Sequence, residues 1–540
     1  MKKRLCGAGV AIGVLVTLGA LPMHASSVPE PVRDSLPLGP VDLIETRTTQ
    51  TVQPGVTLTR VVRGEADPSL GWTVEVSFPA DDRADASPDP DAPSTVLEDR
   101  ASAAGLAADL VRDGFHARAE KVTTAKTADF AGGTLGWRVR IGLFDSQDAA
   151  TSERRRLKAA GYTGSTVYTG WDGDPAARGP WHIDILVIDP ARFRGSLQAS
   201  YGPDLEGRET TSELAEAAGA TAAVNAGLFV LDPEAGAPGD PAGVGVYDGR
   251  LLSEPVAGRP GLMLREDARR TRIDRFRWQG KVAAGDRSLR LNGINRFPGL
   301  IRNCGGSEGD VPTSLPLHDV TCVNTDEIVA FTPEYGQRTP SGDGLEAVLD
   351  ADDRVVELRS PRGGPLPVGG SSVQAIGRRV ADLSGLARIG ERLKVETGLL
   401  DQKGQPVGLS DTTAVLNGAP ELVRDGRLHV TPATDGLVHP GDPSFYYGWV
   451  HKRNPRTLAG TTADGRIVIV TADGRDAEAL GLSIRESAAV AMALGLRNAV
   501  NLDGGGSTTL VVGGDVVNDP SDAAGERPVG DALLILPGDS

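Results

Sequence analysis

The strongest chemical signal in the sequence is the run NLDGGGST at residues 501–508. The apolar residues just before it predict a buried strand that ends at Asp503, and three glycines follow. Glycines let main-chain N–H groups approach a ligand closely, which suits an anionic or sugar substrate. The alternative is a tight turn that the Asp503 side chain caps. Asp503 is therefore the first candidate for a catalytic carboxylate.

Two further segments place polar side chains where chemistry is possible. Residues 454–460 (NPRTLAG) carry Arg456, whose rigid fork of donors suits phosphate or carboxylate. Taken alone, the segment favours an ordinary surface arginine over a binding residue. Residues 224–229 (VNAGLF) put Asn225 at a predicted strand end, just before a small residue and a glycine.

A fourth segment has two interpretations. Residues 471–475 (TADGR) follow an apolar strand and supply Asp473 and Arg475. The string ADGR also occurs one strand earlier, at 463–466, where it predicts a hairpin turn. A turn is therefore the competing interpretation of Asp473.

Short strands and one clear helix must position these segments. From about residue 178 the sequence has β-branched stretches separated by turns, such as Ile183–Ile188. Ser483 and Glu486 form a capping-box pattern, and apolar residues recur from Ile484 to Leu494. These patterns predict a large α+β domain over residues 178–537, built on a mixed sheet.

An internal repeat occupies residues 70–171. Each half has a strand followed by an amphipathic helix that ends near a glycine; the strands are 72–78 and 137–144, and the helices are 101–112 and 149–158. This pattern resembles the sporulation-related repeat (SPOR) domain, in which two such halves form one small sheet backed by helices. The resemblance implies a small N-terminal α/β domain that binds peptidoglycan glycan strands. A long Asp/Pro-rich insertion in the first half departs from the family, and a purely structural module is the alternative.

The polar segments of the large domain, taken together and in order, resemble the phosphodiester glycosidase (uncovering-enzyme-like) family. The matching strings are 225–229, 454–457, 472–475, 501–508 and 526–529 (ERPV), with weaker matches at 293–296 (GINR) and 417–420 (NGAP). Leu228 stands where the family has phenylalanine, which changes the expected shape of the pocket. The resemblance covers residues 178–537, and the glycine-rich run is its most specific part.

That resemblance implies hydrolysis of a sugar 1-phosphodiester, which releases the sugar and a phosphomonoester. A phosphate ester is a good leaving group, so its departure needs stabilisation of negative charge more than protonation. A carboxylate is still needed to stabilise an oxocarbenium-like centre or to activate water. We assign that role to Asp503, with Asp473 second, and expect Arg456 and Arg527 to bind phosphate. The other expected substrate-binding residues are Asn225, Arg296, Thr457, Arg475, Asn501, Ser507 and Thr508.

Composition excludes several other classes of function. The 540 residues carry a net charge of −16, which argues against nucleic acid as a partner because a phosphate backbone requires a basic face. The same charge disfavours adsorption to an anionic membrane. The sequence has no His-rich or Cys-rich metal motif, so we expect no cofactor and no catalytic transition metal.

The N-terminus has the order of a secretory signal peptide. Basic residues at 2–4 precede an apolar run over 7–21, and Ala25 offers a small residue for cleavage, which predicts a signal peptide over 1–25. A membrane anchor is the alternative, but the run is shorter than the ~20 apolar residues that a span needs. Residues 26–69 have weak periodicity and predict a leader or linker. The protein is therefore expected to be secreted and wall-associated, with no membrane span after cleavage.

Removal of a signal peptide leaves two cysteines, Cys304 and Cys322. In an oxidising compartment, two thiols this close in sequence are expected to form a disulfide.

Three functions fit these patterns. The first is an enzyme that cleaves a glycosyl phosphodiester of the cell envelope. The second is a catalytically silent wall-binding protein, and the third is a glycosidase of the same fold that cleaves an ordinary glycosidic bond. Scaffolding does not require polar residues at strand ends, so their presence favours an enzyme.

Overall fold

The computed structural model describes residues 35–79, 93–231, 233, 235–256, 258–302, 309–313 and 320–538. The predicted signal peptide, 1–25, lies outside these residues. The strands are β1 (Glu45–Gln53), β2 (Val56–Arg63), β3 (Trp72–Val76), β4 (Ala117–Thr124), β5 (Gly133–Phe144), β6 (Gly164–Tyr168), β7 (Trp181–Ile188), β8 (Ser196–Ser200), β9 (Ala222–Asn225), β10 (Gly245–Tyr247), β11 (Arg250–Ser253), β12 (Pro260–Arg265), β13 (Arg272–Arg275), β14 (Arg277–Ala284), β15 (Arg287–Arg290), β16 (Gly293–Ile294), β17 (Leu300–Arg302), β18 (Val311–Pro312), β19 (Val320–Val323), β20 (Ile328–Phe331), β21 (Arg338–Gly342), β22 (Leu345–Leu349), β23 (Val355–Arg359), β24 (Arg362–Pro365), β25 (Ser371–Ala375), β26 (Lys394–Leu400), β27 (Thr413–Asn417), β28 (Glu421–Arg424), β29 (Arg427–Leu428), β30 (Arg456–Thr462), β31 (Ile467–Ala472), β32 (Leu496–Asn501), β33 (Leu510–Val512), β34 (Asp515–Val516) and β35 (Ala532–Leu536). The helices are α1 (Arg100–Arg112), α2 (Gln147–Ala159), α3 (Thr211–Ala218), α4 (Arg379–Leu386), α5 (Pro443–Tyr446) and α6 (Ile484–Ala493).

The SPOR-like domain, residues 70–171, is one antiparallel sheet in the order β4-β5-β3-β6, with α1 and α2 on one face. Alternation along β5 explains this arrangement, because Val139 and Ile141 enter the core beneath the helices and the intervening Arg140 points to the other face. The Asp99 carboxylate caps α1 by accepting from the N–H groups of its first turn. The two predicted strand–helix halves are both present.

The large domain is built around an eight-stranded antiparallel sheet in the order β1-β2-β7-β31-β30-β32-β28-β29. Strand β31 is buried along its whole length, because one face of the sheet packs on α6 and the other on the five-stranded sheet β34-β33-β9-β35-β8. Helix α6 begins with the predicted capping box, in which Ser483 Oγ accepts from Glu486 N and the Glu486 carboxylate accepts from Ser483 N. The α+β fold class is confirmed. Among the described strand pairs, only β16 and β20 run parallel.

The expectation of a leader or linker over residues 26–69 was wrong for residues 45–63. Strands β1 and β2 form a hairpin, and β2 pairs with β7 from Val56↔Ile188 to Arg63↔Trp181. Strand β1 is a polar, exposed edge strand, and an edge strand needs no hydrophobic periodicity of its own, whereas β2 alternates buried and less buried residues from Val56. Its place in the sheet depends on β7, more than 100 residues further along the chain.

A second group of strands extends from the large sheet. It contains the sheets β11-β10-β27-β12-β13, β15-β14-β26 and β16-β20-β25-β22-β23. Cys322 lies buried on β19, whereas Cys304 lies outside the described residues, so the disulfide between them stays a prediction.

Candidate active site

The run 501–508, hereafter the glycine loop, joins three of the segments identified in the sequence. Asp503 N donates to Ala226 O at 2.8 Å, and Gly505 N donates to Pro455 O at 3.0 Å. The ends of β9, β30 and β32 therefore meet at this loop, although more than 200 residues of chain separate the first from the other two.

In this loop a side chain would be strained at one glycine and would displace an ion pair at another. Gly505 has φ of 60°, in the left-handed region that L side chains rarely adopt. At Gly506, a β-carbon would collide with the guanidinium of Arg527 and the carboxylate of Asp522. The missing side chain at Gly506 therefore lets this ion pair lie directly against the loop backbone.

A cavity opens over the loop, hereafter the active-site cavity. Its polar lining consists of Arg456, Asn501, Asp503, Ser507 and Arg527. Its apolar wall consists of Leu228, Phe229, Leu231, Ala419, Leu437, Trp449, Ile484 and Leu502, with Gly504 at the loop. Among the described lining residues, Asp503 is the one carboxylate, and two arginines accompany it.

Arg456 is buried with no carboxylate bound to it among the described residues. Its Nε donates to Leu482 O at 2.9 Å and its Nη2 to Trp449 O at 2.6 Å. Its Nη1 has no protein partner in the described part of the chain. Burial, together with repulsion from Arg475, lowers the pKa of Arg456 to about 9. The guanidinium is still charged at neutral pH, and an anion in the cavity would compensate that charge.

Arg527 is the second cation of the cavity. Its Nε and Nη2 donate to the two carboxylate oxygens of Asp522 at 2.7 and 2.9 Å. This bidentate pair fixes the plane of the guanidinium and offsets part of its charge. Arg527 is therefore oriented as rigidly as Arg456, with a smaller uncompensated charge.

The polar groups of the glycine loop include buried acceptors. Asn501 is 4% exposed, and its amide nitrogen donates to Ala419 O and Leu502 O. Its Oδ1 and the hydroxyl of Thr508 have no hydrogen-bond partner among the described residues. Buried polar atoms are normally paired, so a hydroxylated ligand gains most at whichever of these two atoms belongs to a residue of the cavity lining. Asn501 lines the cavity, whereas Thr508 lies just behind the lining.

Asn225 and Thr457, which we expected to bind substrate, are not among the residues that line the cavity. Thr457 Oγ1 donates to Asn225 Oδ1 at 2.7 Å, and Asn225 Nδ2 donates to Asp503 O at 2.8 Å. Both residues are fully buried. They hold the backbone of the catalytic candidate, so their role is positioning.

Asp473 also lies outside the cavity lining. Its Oδ1 accepts from Asp519 N at 3.0 Å and from Asn518 Nδ2 at 3.3 Å, and that same Nδ2 donates to Thr508 O at 3.0 Å. Burial raises the pKa of Asp473 to about 6. The carboxylate therefore supports the back of the glycine loop.

Arg475, a further expected substrate-binding residue, is not among the residues that line the cavity. Its Nε and Nη2 donate to Asn454 Oδ1, each at 3.3 Å. Its charge lowers the pKa of Arg456, so the two guanidinium groups lie within electrostatic range of each other.

Arg296 is not brought to the cavity. Its Nε donates to Glu254 at 2.6 Å and its Nη2 to Glu327 at 2.7 Å, in a buried ion-pair cluster among the strands around β16. The positive charge of Arg296 is therefore neutralised by two carboxylates of its own group of strands. A larger cavity, of about 540 Å³, lies near this region, and none of the predicted site residues lines it.

Sequence reasoning missed Trp449, whose ring forms part of the apolar wall and whose carbonyl holds Arg456. It belongs to the string FYYGW at 445–449, which is dense in aromatic residues in a chain that is 4% aromatic overall. That local excess just before the NPRT string was the available signal.

Two family models match parts of this chain. Residues 343–536 match the family model "Phosphodiester glycosidase", and residues 96–169 match the model "SPOR domain". N-acetylglucosamine-1-phosphodiester alpha-N-acetylglucosaminidase of Mus musculus is 30% identical over 159 residues, which are 28% of this chain and 30% of the mouse protein. The match thus spans less than a third of that relative.

Two solved structures resemble the whole chain. A putative exported protein from Burkholderia pseudomallei has 33% sequence identity and a TM-score of 0.81, over 93% of this chain and 98% of that one. A hypothetical protein from Synechocystis has 16% identity and a TM-score of 0.51, over 91% of this chain and 76% of that one, which shows a shared fold alone. The chain belongs to the same family as the Burkholderia protein, and it contains a SPOR domain followed by a phosphodiester glycosidase domain.

Proposed function

We propose that this protein hydrolyses a sugar 1-phosphodiester in a cell-envelope glycan. The observation that carries the proposal is the set of described residues that line the active-site cavity: among them are one carboxylate, two arginines held by the protein, and an apolar wall. Most glycosidases use two carboxylates, because an ordinary leaving group must be protonated by an acid. A phosphomonoester is already stable as an anion at neutral pH, so cations can take the place of that acid.

The chemistry balances with these groups. Water attacks the anomeric carbon, the bond from that carbon to the phosphate oxygen breaks, and the phosphomonoester leaves with the electron pair. Arg456 and Arg527 stabilise the charge that develops on the leaving group. Asp503 stabilises the oxocarbenium-like centre and accepts the proton of the attacking water.

The remaining lining fits a sugar. Trp449 and Phe229 offer aromatic surface to the apolar face of a pyranose, and Asn501 Oδ1 offers an acceptor to a hydroxyl group. The relative in mouse is named for N-acetylglucosamine 1-phosphodiesters, so an α-N-acetylglucosamine 1-phosphodiester is the first sugar to test.

The SPOR-like domain supports a location at the cell wall, because SPOR domains bind peptidoglycan glycan strands. Within the described residues, no helix is both long and apolar enough to span a bilayer. The likeness to a putative exported protein and the predicted signal peptide also support secretion. A pull-down of the full chain with isolated peptidoglycan sacculi tests this part: protein that stays in the supernatant argues against wall targeting.

The decisive experiment compares two substrates that share one sugar. We expect release of N-acetylglucosamine from its methyl 1-phosphodiester and none from the corresponding methyl glycoside. Cleavage of the glycoside at an equal rate would instead support an ordinary glycosidase. Cleavage of neither, across a panel of sugars, would support the non-catalytic alternative.

A further inference from the structure

The helix-free face of the SPOR-like sheet is covered by the protein itself. Arg140 and Glu75 lie on this face and are 1% and 3% exposed. Arg140 Nη2 donates to Glu75 Oε2 at 2.8 Å, and its Nη1 donates to Asp172 at 2.6 Å. Burial opposes ionisation of Glu75, but the charges of Lys452, Arg140 and Arg138 outweigh it and lower the pKa of Glu75 to about 2.

The covering element is residues 443–452 of the large domain, hereafter the aromatic segment. Tyr447 supplies its central contact: the Tyr447 hydroxyl donates to Glu75 Oε2 at 3.0 Å and accepts from Arg138 Nη1 at 2.6 Å. Ser444 supplies a second, because its Oγ accepts from the N–H groups of Val96 and Leu97, each at 3.0 Å. The segment is thus anchored at two points to the SPOR-like domain.

The other side of the same segment forms part of the active-site cavity. The ring of Trp449 lines the cavity, and its carbonyl accepts from Arg456 Nη2 at 2.6 Å. Residues Tyr447–His451 form a π-helix, a rare conformation that occurs often at functional sites. A single residue, Gly448, therefore separates Tyr447, the anchor on the SPOR-like sheet, from Trp449, whose carbonyl orients the buried guanidinium.

We propose that Tyr447 is a positioning residue and that the SPOR-like sheet is a structural part of the phosphate-binding site. The sheet holds Tyr447, the π-helix fixes the Trp449 carbonyl, and that carbonyl sets the direction of Arg456. This inference rests on the proposed function for its catalytic meaning. Its physical content, the binding of a phosphate anion by Arg456, can be measured without turnover.

The test uses the full chain and inorganic phosphate as the probe. Tyr447→Phe removes the hydroxyl that bridges Glu75 and Arg138. We expect the Kd for phosphate, measured by calorimetry, to rise about tenfold, because a misdirected guanidinium loses one oriented ionic contact. The Kd for phosphate should rise more than the Kd for free N-acetylglucosamine, because phosphate depends on the direction of Arg456 whereas the sugar also contacts parts of the cavity that Tyr447 does not hold.

Tyr162→Phe is the matched control. The Tyr162 hydroxyl donates to Asp113 at 2.8 Å on the exposed side of the same domain, so its loss should leave phosphate binding unchanged. Ser444→Ala is a second test variant, and it carries the test if Tyr447→Phe does not fold. Circular dichroism and melting curves identify the folded variants.

Each result decides the inference. Phosphate affinity that stays within about twofold of wild type in the folded Tyr447 and Ser444 variants would overturn it, as would a wild-type protein that does not bind phosphate at all. A wild-type protein that binds phosphate but cleaves no phosphodiester would refute the proposed function and leave this inference to the variants. A selective rise in the Kd for phosphate supports it.

Discussion

Replacement of Asp503 by asparagine distinguishes two roles for this residue, a catalytic carboxylate and a cap of the turn. The backbone around Asp503 is held by other groups: its N–H donates to Ala226 O, and its carbonyl accepts from Asn225 Nδ2. Asparagine keeps the shape of the side chain and removes its charge. The glycine loop should therefore keep its conformation, and the free energy of unfolding should change by less than about 1 kcal/mol.

The cavity composition sets the expected effect on turnover. Among the described lining residues no second carboxylate can replace Asp503, so the positive charge at the anomeric carbon loses its electrostatic partner. Removal of one such group typically lowers kcat by about 10²–10³, or roughly 3–4 kcal/mol of transition-state stabilisation. If Asp503 were only a turn cap, the variant would lose about 1 kcal/mol of stability and keep its turnover.

The assay measures kcat on the methyl 1-phosphodiester and the melting temperature of the same preparation. Asp464→Asn is the control, because Asp464 also precedes a glycine but lies exposed at the turn between β30 and β31, outside the cavity lining. The control should match the wild type in turnover. A kcat for Asp503→Asn within about threefold of wild type would refute the assignment.

Three other predictions follow from the same structure. Arg456→Lys keeps the charge but loses the planar fork, so kcat/KM should fall about 10²-fold; a fall of less than about threefold would contradict its role in phosphate binding. Burial raises the pKa of Asp184 to about 7, so the folded protein binds this proton more tightly than the unfolded chain, whose aspartates titrate near about 3.9. Wild-type stability should therefore fall as pH rises between these values, and Asp184→Asn should raise the Tm relative to wild type at pH 8 but not at pH 4; an equal difference at both would count against this. Thiol titration of denatured, unreduced secreted protein should find no free thiol at Cys304 and Cys322, and two free thiols would rule out the disulfide.

The sequence by itself predicted the features that depend on local spacing. The two strand–helix halves of the SPOR-like domain and the capping box of α6 follow from periodicity and from residues within one helical turn of each other. The glycine loop was also predictable, because consecutive glycines indicate a turn of the backbone and a close approach by neighbouring groups. Asp503, Arg456, Asn501, Ser507 and Arg527 were therefore named from the sequence, and the structure brings them to one cavity.

The tertiary structure decided which polar residues face that cavity. The string ADGR occurs twice and has two environments: Asp464 is exposed at a hairpin turn, whereas Asp473 is buried and bound to residues near 518. Arg296 matched a family string and lies in a different ion-pair cluster. No local property of these residues distinguishes the environments, because burial is set by strands that pair across long stretches of chain.

Pairing between distant segments also explains why strand β1 and the role of the aromatic segment were not predicted from the sequence. Strand β1 has no apolar pattern and gains its place only through β2, which pairs with β7. The aromatic segment contacts the SPOR-like sheet on one side and the active-site cavity on the other, and its sequence alone does not reveal either contact. Residue type and spacing determine caps, turns and the polarity of a strand, because those depend on neighbours along the chain. The direction in which a buried side chain points depends on surfaces brought together from distant segments, and only the folded structure supplies them.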